Sequence, residues 1–225
     1  MCERILSING ADLWLAEQGQ GSPIMLSNGG PGCCDYLGPV AAMIDDLARV
    51  YRWEQRGCGR SSPAPPYDLD TCLADLDGLR RALGHDRWII GGHSWGANLS
   101  LAYALTYPQH TRAVLYLSGN GFQSDRDWHA VYSKGRDEGH ELLPNFAYPP
   151  NLDVNRQVNA SWKRFIQEPH LWRRLAGLDV PVLAICGSED IRPNWPVQQI
   201  VNLMPNARFA LIEGAGHHSE LTHPG

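Results

Sequence analysis

The stretch Trp88-Ile89-Ile90-Gly91-Gly92-His93-Ser94-Trp95-Gly96-Ala97-Asn98-Leu99 constrains the fold of this chain more than any other. It reads as a short apolar strand, then Gly-x-Ser-x-Gly, then the start of a helix. A serine on so sharp a strand-to-helix turn needs glycines beside it, because a Cβ there would collide with the neighbouring strand or helix. The turn lifts the Ser94 hydroxyl clear of the sheet, towards a histidine and a pair of backbone donors. A chain with 23 glycines in 225 residues can produce the bare motif by accident. Its weight comes from the strand before it, the helix after it and the matching parts elsewhere.

The rest of the chain supplies the sheet that such a turn requires. Residues 4–8 and 12–16 alternate apolar and polar side chains around Asn9-Gly10, a hairpin signal. Residues 23–27 form an apolar, buried strand that empties into Asn28-Gly29-Gly30-Pro31-Gly32, a loop whose backbone can approach a ligand closely. A helix is predicted over 36–47, with Leu37, Val40, Ile44 and Leu47 on one face. A strand over 49–53 runs into Glu54-Gln55-Arg56-Gly57-Cys58-Gly59-Arg60-Ser61. The helix over 68–83 carries one stripe of Leu69, Cys72, Leu73, Leu76, Leu79 and Leu83, and Gly84 can cap its end. The helix after Ser94 runs to Leu105 and stops before Pro108, and a strand follows over 113–117. Regularity returns with a strand at 180–186, a helix at 196–203 and a strand at 208–213.

Between them, residues 122–170 hold no clean strand but carry Trp128, Phe146, Tyr148, Trp162 and Phe165, interrupted by Pro144, Pro149 and Pro150. This stretch reads as a mostly helical insertion, a cap over residues 121–170 on a core of 1–120 and 171–225. Strands alternating with helices predict an α/β fold, a mainly parallel sheet with helices on both faces. Such sheets place their sites at the carboxyl ends of the strands, where the glycine-rich turns at 28–32, 55–59, 91–96, 187–190 and 214–217 all fall.

Composition excludes several partners. The net charge is −5 with no basic cluster, which argues against nucleic acid. The longest apolar runs, such as residues 182–186, are strand-sized and too short to span a bilayer. The first ten residues lack an apolar core of signal-peptide length, so a cytoplasmic protein is expected. Cys2, Cys33, Cys34, Cys58, Cys72 and Cys186 form no Cys-x-x-Cys pair and no zinc spacing, and they read as reduced, with no metal and no organic cofactor called for.

A serine hydroxyl needs a base to become a nucleophile. His217, in Glu213-Gly214-Ala215-Gly216-His217-His218, sits on a glycine-rich loop after the last strand, and His218 beside it is its rival. A histidine in this role needs a carboxylate to fix its tautomer. Asp190 stands just past the strand ending at Gly187, with Glu189 as the neighbouring alternative. The order Ser94, Asp190, His217 is the one expected when each residue follows its own strand. An acyl-transfer site also needs oxyanion donors: the Trp95 N–H at the helix start is one, and Gly30 is the choice for the other. His93 reads as a packed histidine under the turn. Arg56 and Arg60 would brace the second turn by bonding carbonyls or carboxylates, and Asp35, Asp45 and Asp46 read as helix-start or surface charges. Trp128, Phe146 and Trp162 are candidates to line an apolar substrate chamber.

Three segments carry a family resemblance. Asn28-Gly29-Gly30-Pro31-Gly32 resembles the His-Gly-Gly-Pro-Gly oxyanion loop of proline iminopeptidases. Glu54-Gln55-Arg56-Gly57-Cys58-Gly59-Arg60-Ser61 resembles their Asp-Gln-Arg-Gly-x-Gly-x-Ser turn, and Gly91-Gly92-His93-Ser94-Trp95-Gly96 their Gly-Gly-x-Ser-Trp-Gly elbow. The likeness implies an α/β-hydrolase fold, with Ser94, Asp190 and His217 as the triad and Gly30 and Trp95 at the oxyanion hole. It implies a serine hydrolase acting on a small ester, amide or short peptide. Asn28 replaces the loop histidine and Glu54 the turn aspartate. Proline iminopeptidases carry a longer cap whose acidic residues bind the substrate's free amino group; here the candidates are Asp125, Asp127, Asp137, Glu138 and Glu141. The family fold closes with a helix after the histidine loop. The eight residues after His217 leave no room for it, so one sheet face is expected to lose cover, the sequence being a fragment of a longer protein or a partner supplying that cover.

Overall fold

The computed structural model describes residues 1–122, 126–138 and 141–223. Its strands are β1 (Cys2–Ile8), β2 (Ala11–Gln18), β3 (Ser22–Ser27), β4 (Ala48–Trp53), β5 (Trp88–His93), β6 (Thr111–Leu117), β7 (Val182–Gly187) and β8 (Ala207–Ile212). The helices are α1 (Gly38–Ala42), α2 (Leu69–Ala82), α3 (Trp95–Thr106), α4 (Arg126–Asp137), α5 (Leu152–Phe165), α6 (Leu171–Ala176), α7 (Trp195–Leu203) and α8 (Ser219–Thr222). The strands form one sheet in the order β1-β2-β4-β3-β5-β6-β7-β8. The β1–β2 and β2–β4 pairings are antiparallel and the rest parallel. Asn9 (φ 49°) and Gly10 (φ 77°) turn the β1–β2 hairpin in the left-handed conformation that a two-residue hairpin favours.

The larger core lies on one face. There Leu13, Leu15, Met25, Tyr51, Trp88, Ile90, Val114, Tyr116 and Ala184 of the strands meet α2, α3, α5, α6 and α7. Of the stripe predicted on α2, Leu69, Cys72, Leu73, Leu76 and Leu79 are buried and Leu83, at the C-cap, is half-buried; Asp68 caps the start by accepting from Thr71 N at 2.8 Å. Val154, Val158, Trp162 and Phe165 give α5, within 121–170, a buried face in this same core. The other face has a smaller core of Ile24, Leu26, Leu37, Val40, Ala41, Ala48 and Val50 under α1.

Two elements depart from the sequence reading. The helix predicted over 36–47 is only the five-residue α1. The chain must turn into β4 at Ala48, and the Leu47 and Ala48 amides both close on the Ile44 carbonyl, which leaves Leu47 74% exposed. Gln18 Nε2 donates to Asp45 at 2.8 Å and anchors that turn to β2. Asp35 is no surface charge: its carboxylate is buried against the Arg52 guanidinium and also accepts from Leu37 N. Over β6–β8 the second face is thinly covered. Leu115, Leu117, Ile185 and Ile212, with Val40, Met43 and Ile44, line an apolar groove of about 240 Å³.

The turn after β4 is held by buried charge. Arg56 grips Asp75 of α2 through two bonds of 2.7 Å, both side chains being buried. Glu54, fully buried, accepts from Arg60 N at 2.5 Å, Arg60 Nη2 at 2.8 Å and Asp35 N at 3.0 Å. One carboxylate thus joins this turn to the loop after β3.

Glycine is required at the elbow because α3 starts against β3. A Cβ on Gly96 would lie inside the Ser27 carbonyl oxygen, and one on Gly92 would come 2.5 Å from Gly96 C and Ser27 O. Backbone on both sides leaves no flexible atom to yield. Gly96→Ala is therefore expected to destabilise the fold by about 3 kcal/mol or more, the upper range of overpacking. A urea midpoint that does not fall would contradict this.

Candidate active site

The carboxyl ends of β3, β5, β7 and β8 bring the predicted loops together. Ser94 sits between β5 and α3 with φ 55° and ψ −115°, a strained conformation for a residue with a side chain. The Ser94 N–H donates to Leu117 O of β6 at 2.8 Å, which anchors the turn. Trp95 begins α3, so its N–H is one of the helix-start donors without an intrahelical acceptor, at the positive end of the helix dipole.

The glycine loop after β3 lies directly against the elbow. A Cβ on Gly29 would come within 2.8 Å of Ser94 Cβ and 3.0 Å of His93 O, so only glycine permits this approach. Gly30 takes φ +65° and its carbonyl accepts from Cys33 N at 2.9 Å. Asn28 Nδ2 donates to Gly29 O (3.0 Å) and Cys33 O (3.1 Å), tying the loop from within.

A hydrogen-bonded chain runs from this loop to the histidine loop. Gly29 N donates to Tyr36 Oη at 2.8 Å; Tyr36 Oη bonds His93 Nδ1 at 2.6 Å; His93 Nε2 bonds His217 O at 2.8 Å. A carbonyl only accepts, so His93 carries its proton on Nε2 and Tyr36 donates to Nδ1. His93 is thus the packed residue that the sequence suggests, and it also ties the elbow to the backbone of His217.

His217 Nδ1 bonds Asp190 Oδ2 at 2.6 Å, with both side chains buried. The alternatives stand elsewhere: His218 Nδ1 bonds Glu220 Oε1 at 3.0 Å, and Glu189 is exposed on the rim of a cavity of about 190 Å³ that His217 and His218 also line. Among the described residues, no hydrogen bond joins Ser94 Oγ to His217. The loops that carry the two are braced by His93 instead, and catalytic hydrogen bonds commonly tighten only with substrate in place. His93, His217 and His218 each present a ring nitrogen within 4.8 Å of the others, a spacing that could hold a metal ion. Both His93 nitrogens are engaged, and the other two rings each hold a carboxylate, so the group is first of all a hydrogen-bonded cluster.

Burial holds the pKa of His217 well below the usual histidine range, helped by the Arg192 and His218 charges. It does the same to His93, helped by His217 and His218. Asp190 is raised by burial, against the lowering effect of the Arg192 N–H and guanidinium. His217 is therefore a neutral base at neutral pH. Two histidines that bind protons less well folded than unfolded favour the unfolded chain in acid. Above about pH 6.5 both states leave them neutral. As pH falls below that value the unfolded state protonates first, so stability should decline from roughly pH 6.5 downwards, read as a falling urea midpoint between pH 7.5 and 5. A midpoint that rose over this interval would contradict the buried, neutral histidines.

The three aromatic candidates divide. Trp128 and Trp162 line one cavity of about 390 Å³ with Asn98, Asn120 and Phe122, and Trp162 also meets the Trp95 ring edge-on at 5.4 Å. Phe146 lies apart from them, edge-on at 5.6 Å to Tyr36, whose hydroxyl meets the glycine loop after β3. Of the acidic candidates, Asp127, Asp137 and Glu138 are more than half exposed, and Asp125 lies outside the described residues. Glu141 shares the His217 cavity but is paired with Arg192. Sequence reasoning missed Tyr36, Arg192 and Glu220. Nothing in the local pattern marks them, since each is defined by a partner from a different loop.

An eight-stranded, mostly parallel sheet with a serine elbow at its carboxyl edge defines a class, and the comparisons agree with it. Residues 22–148 match the family model described as alpha/beta hydrolase fold, and the chain belongs to that family. Within it, the chain is similar to proline iminopeptidases: 41% identical over 166 residues to that of Xylella fastidiosa, covering 69% of this chain and 51% of the relative, and 36% identical over 104 residues to that of Neisseria gonorrhoeae, covering 42% and 32%. The chain thus spans about half the length, or less, of the curated relatives it matches. Solved structures share the fold at low identity. The proline iminopeptidase of Mycobacterium smegmatis superposes with TM-score 0.76 at 18% identity, covering 99% of this chain and 94% of that one. E-2-(acetamidomethylene)succinate hydrolase gives 0.78 at 19%, covering 99% and 94%. No helix among the described residues is long and apolar enough to cross a membrane.

Proposed function

We propose that the chain is a serine hydrolase that cleaves a small ester or amide through an acyl-enzyme, with Ser94, His217 and Asp190 as its triad and residues 121–170 as its cap. The observation that carries this is the convergence of three loops on one sheet edge: the strained Ser94 elbow, the glycine loop against its Cβ, and the buried Asp190–His217 pair. His217, neutral and with Nδ1 committed to Asp190, takes the Ser94 proton on Nε2 as Oγ attacks the carbonyl carbon. Oxyanion charge is met by the Trp95 N–H and the Gly30 N–H; Gly29 cannot serve, because its N–H is already given to Tyr36. His217 returns the proton to the leaving group, and water repeats the cycle to release the acid. The Trp128–Trp162 cavity supplies room for an apolar or aromatic part of the substrate, and Phe146 stands apart from it against Tyr36.

A second reading, cleavage of an N-terminal proline residue, is favoured by the similarity to proline iminopeptidases and by Glu141 in the His217 cavity. Against it, Glu141 already neutralises Arg192. The test compares a short aryl ester with a proline arylamide bearing a free amine, with Ser94→Ala as the blank. Hydrolysis of the ester alone supports the esterase reading. Cleavage of the arylamide that stops when its amine is blocked supports the peptidase reading. No cleavage of either, with no covalent probe labelling of the folded protein, would leave a ligand-binding protein on a hydrolase fold.

A further inference from the structure

The loop that carries Asp190 is covered by the inserted segment at every residue from Ile191 to Pro193. Ile191 packs on Gly135 of α4, where a Cβ would come 2.7 Å from the Ile191 Cβ. Trp128 of α4 donates its Nε1–H to Pro193 O at 3.0 Å. Between them the Arg192 guanidinium lies 5.2 Å from the Tyr132 ring centroid and forms an ion pair with Glu141. Arg192 then reaches the candidate triad. Its backbone N–H donates to Asp190 Oδ1 at 2.9 Å, and its guanidinium stands 3.4 Å from the same oxygen. Oδ1 is filled from the Arg192 side, and Oδ2 is left to His217 Nδ1 at 2.6 Å.

A guanidinium in this place is more than a surface charge. It is mostly buried, its Nη1 is shared between two carboxylates, and its guanidinium carbon faces an aromatic ring. We propose that Arg192 is a positioning residue for the catalytic pair: clamped by Glu141 and Tyr132 of the inserted segment, it orients the Asp190 carboxylate towards His217, so that the seating of that segment governs the general base. The inference rests on the serine-hydrolase reading. It also states what Glu141 does: it balances the Arg192 charge.

The groups that set the charge at His217 come from four directions. Asp190, Arg192 and Glu189 stand on the loop after β7, His93 at the end of β5, His218 and Glu220 beside it, and Glu141 in the inserted segment, while Tyr132 faces Arg192 from α4. Arg192 and Glu141 act on His217 with opposite sign, and this makes the proposal testable in two directions. In Arg192→Gln a positive charge near His217 is lost and its protonated form becomes easier to reach. The acid limb of kcat/KM for an aryl ester should move to higher pH by about one unit, and kcat should fall about 10- to 100-fold with KM little changed, the size seen when a partner that orients a reactive group is lost. In Glu141→Gln the Arg192 charge is unbalanced and the limb should move to lower pH. Arg192→Lys keeps the charge but loses the planar guanidinium that faces Tyr132, so the limb should return towards its original position while kcat recovers only in part.

Fluorophosphonate labelling followed over the same pH range reads the basicity of His217 without substrate binding. Wild-type protein that labels at Ser94, with limbs displaced in opposite directions in the two glutamine variants, supports the role. Labelling at Ser94 with limbs that stay fixed, or move together, overturns the role of Arg192 and leaves the triad standing. Folded wild-type protein that does not label overturns both. Should Arg192→Gln fail to fold, the Glu141→Gln shift decides alone: a lower limb supports the role and an unmoved one rejects it.

Discussion

Ser94→Ala should lower the turnover of a short aryl ester on the order of 10⁶-fold, to the residue of catalysis that an oxyanion hole and binding alone provide. The expectation follows from the division of labour at the site. Asp190 and His217 are joined and buried, but in the proposed mechanism neither forms the acyl-enzyme without the elbow oxygen. Alanine keeps the backbone strain at position 94, removes one oxygen and frees no buried donor. The thermal midpoint and the far-ultraviolet spectrum should therefore stay as in the parent. Initial rates against a no-enzyme blank, with a melting curve on the same sample, check both halves. An unchanged rate would remove Ser94 from the mechanism, and a collapsed fold would show that the serine is structural.

The second large effect is on stability. Asp75→Ala should cost about 3–5 kcal/mol, because it leaves the Arg56 guanidinium buried without its two 2.7 Å partners. For a chain of this size that is a fall in Tm of roughly 6–20 °C. Arg56 would retain its bonds to the Ala64 and Asn9 carbonyls, which accept hydrogen bonds but do not balance its charge. Replacing both partners with apolar residues of similar volume should recover much of the loss, since the penalty belongs to the orphaned charge rather than to the missing pair. A single variant as stable as the parent would show that water reaches Arg56. Activity should fall along with stability, because Asp75 holds the turn whose Glu54 binds Asp35 N, and that residue follows the glycine loop.

These effects sit at different distances from what the sequence exposes. The elbow, the glycine loop and the histidine loop are legible because each needs glycine where backbone meets backbone, as Gly29, Gly92 and Gly96 do. Periodicity likewise marks α2 and the strands, whose side chains answer to one buried face. What periodicity misses is decided by partners remote in sequence. The segment after Leu37 has a helical stripe but turns early, because Ala48 must enter the sheet beside Gly19 and Gln18 ties Asp45 down. Asp35 reads as a helix-start charge until Arg52 of β4 is placed against it. The choice of His217 over His218 is open in the sequence, since both follow the same glycines. In the structure each ring takes a different carboxylate, Asp190 or Glu220. Arg192 carries no motif, and its place depends on an α4 and a Glu141 more than 50 residues earlier in the chain.

The measurement that bears most directly on the central claim is the site of covalent modification by a fluorophosphonate. Intact mass and peptide mapping of the labelled protein should show one adduct per chain, on the serine of the 88–99 stretch, forming far more slowly in His217→Ala. A folded protein that takes no label, or an adduct on a different serine, would contradict the assignment of Ser94 as the nucleophile.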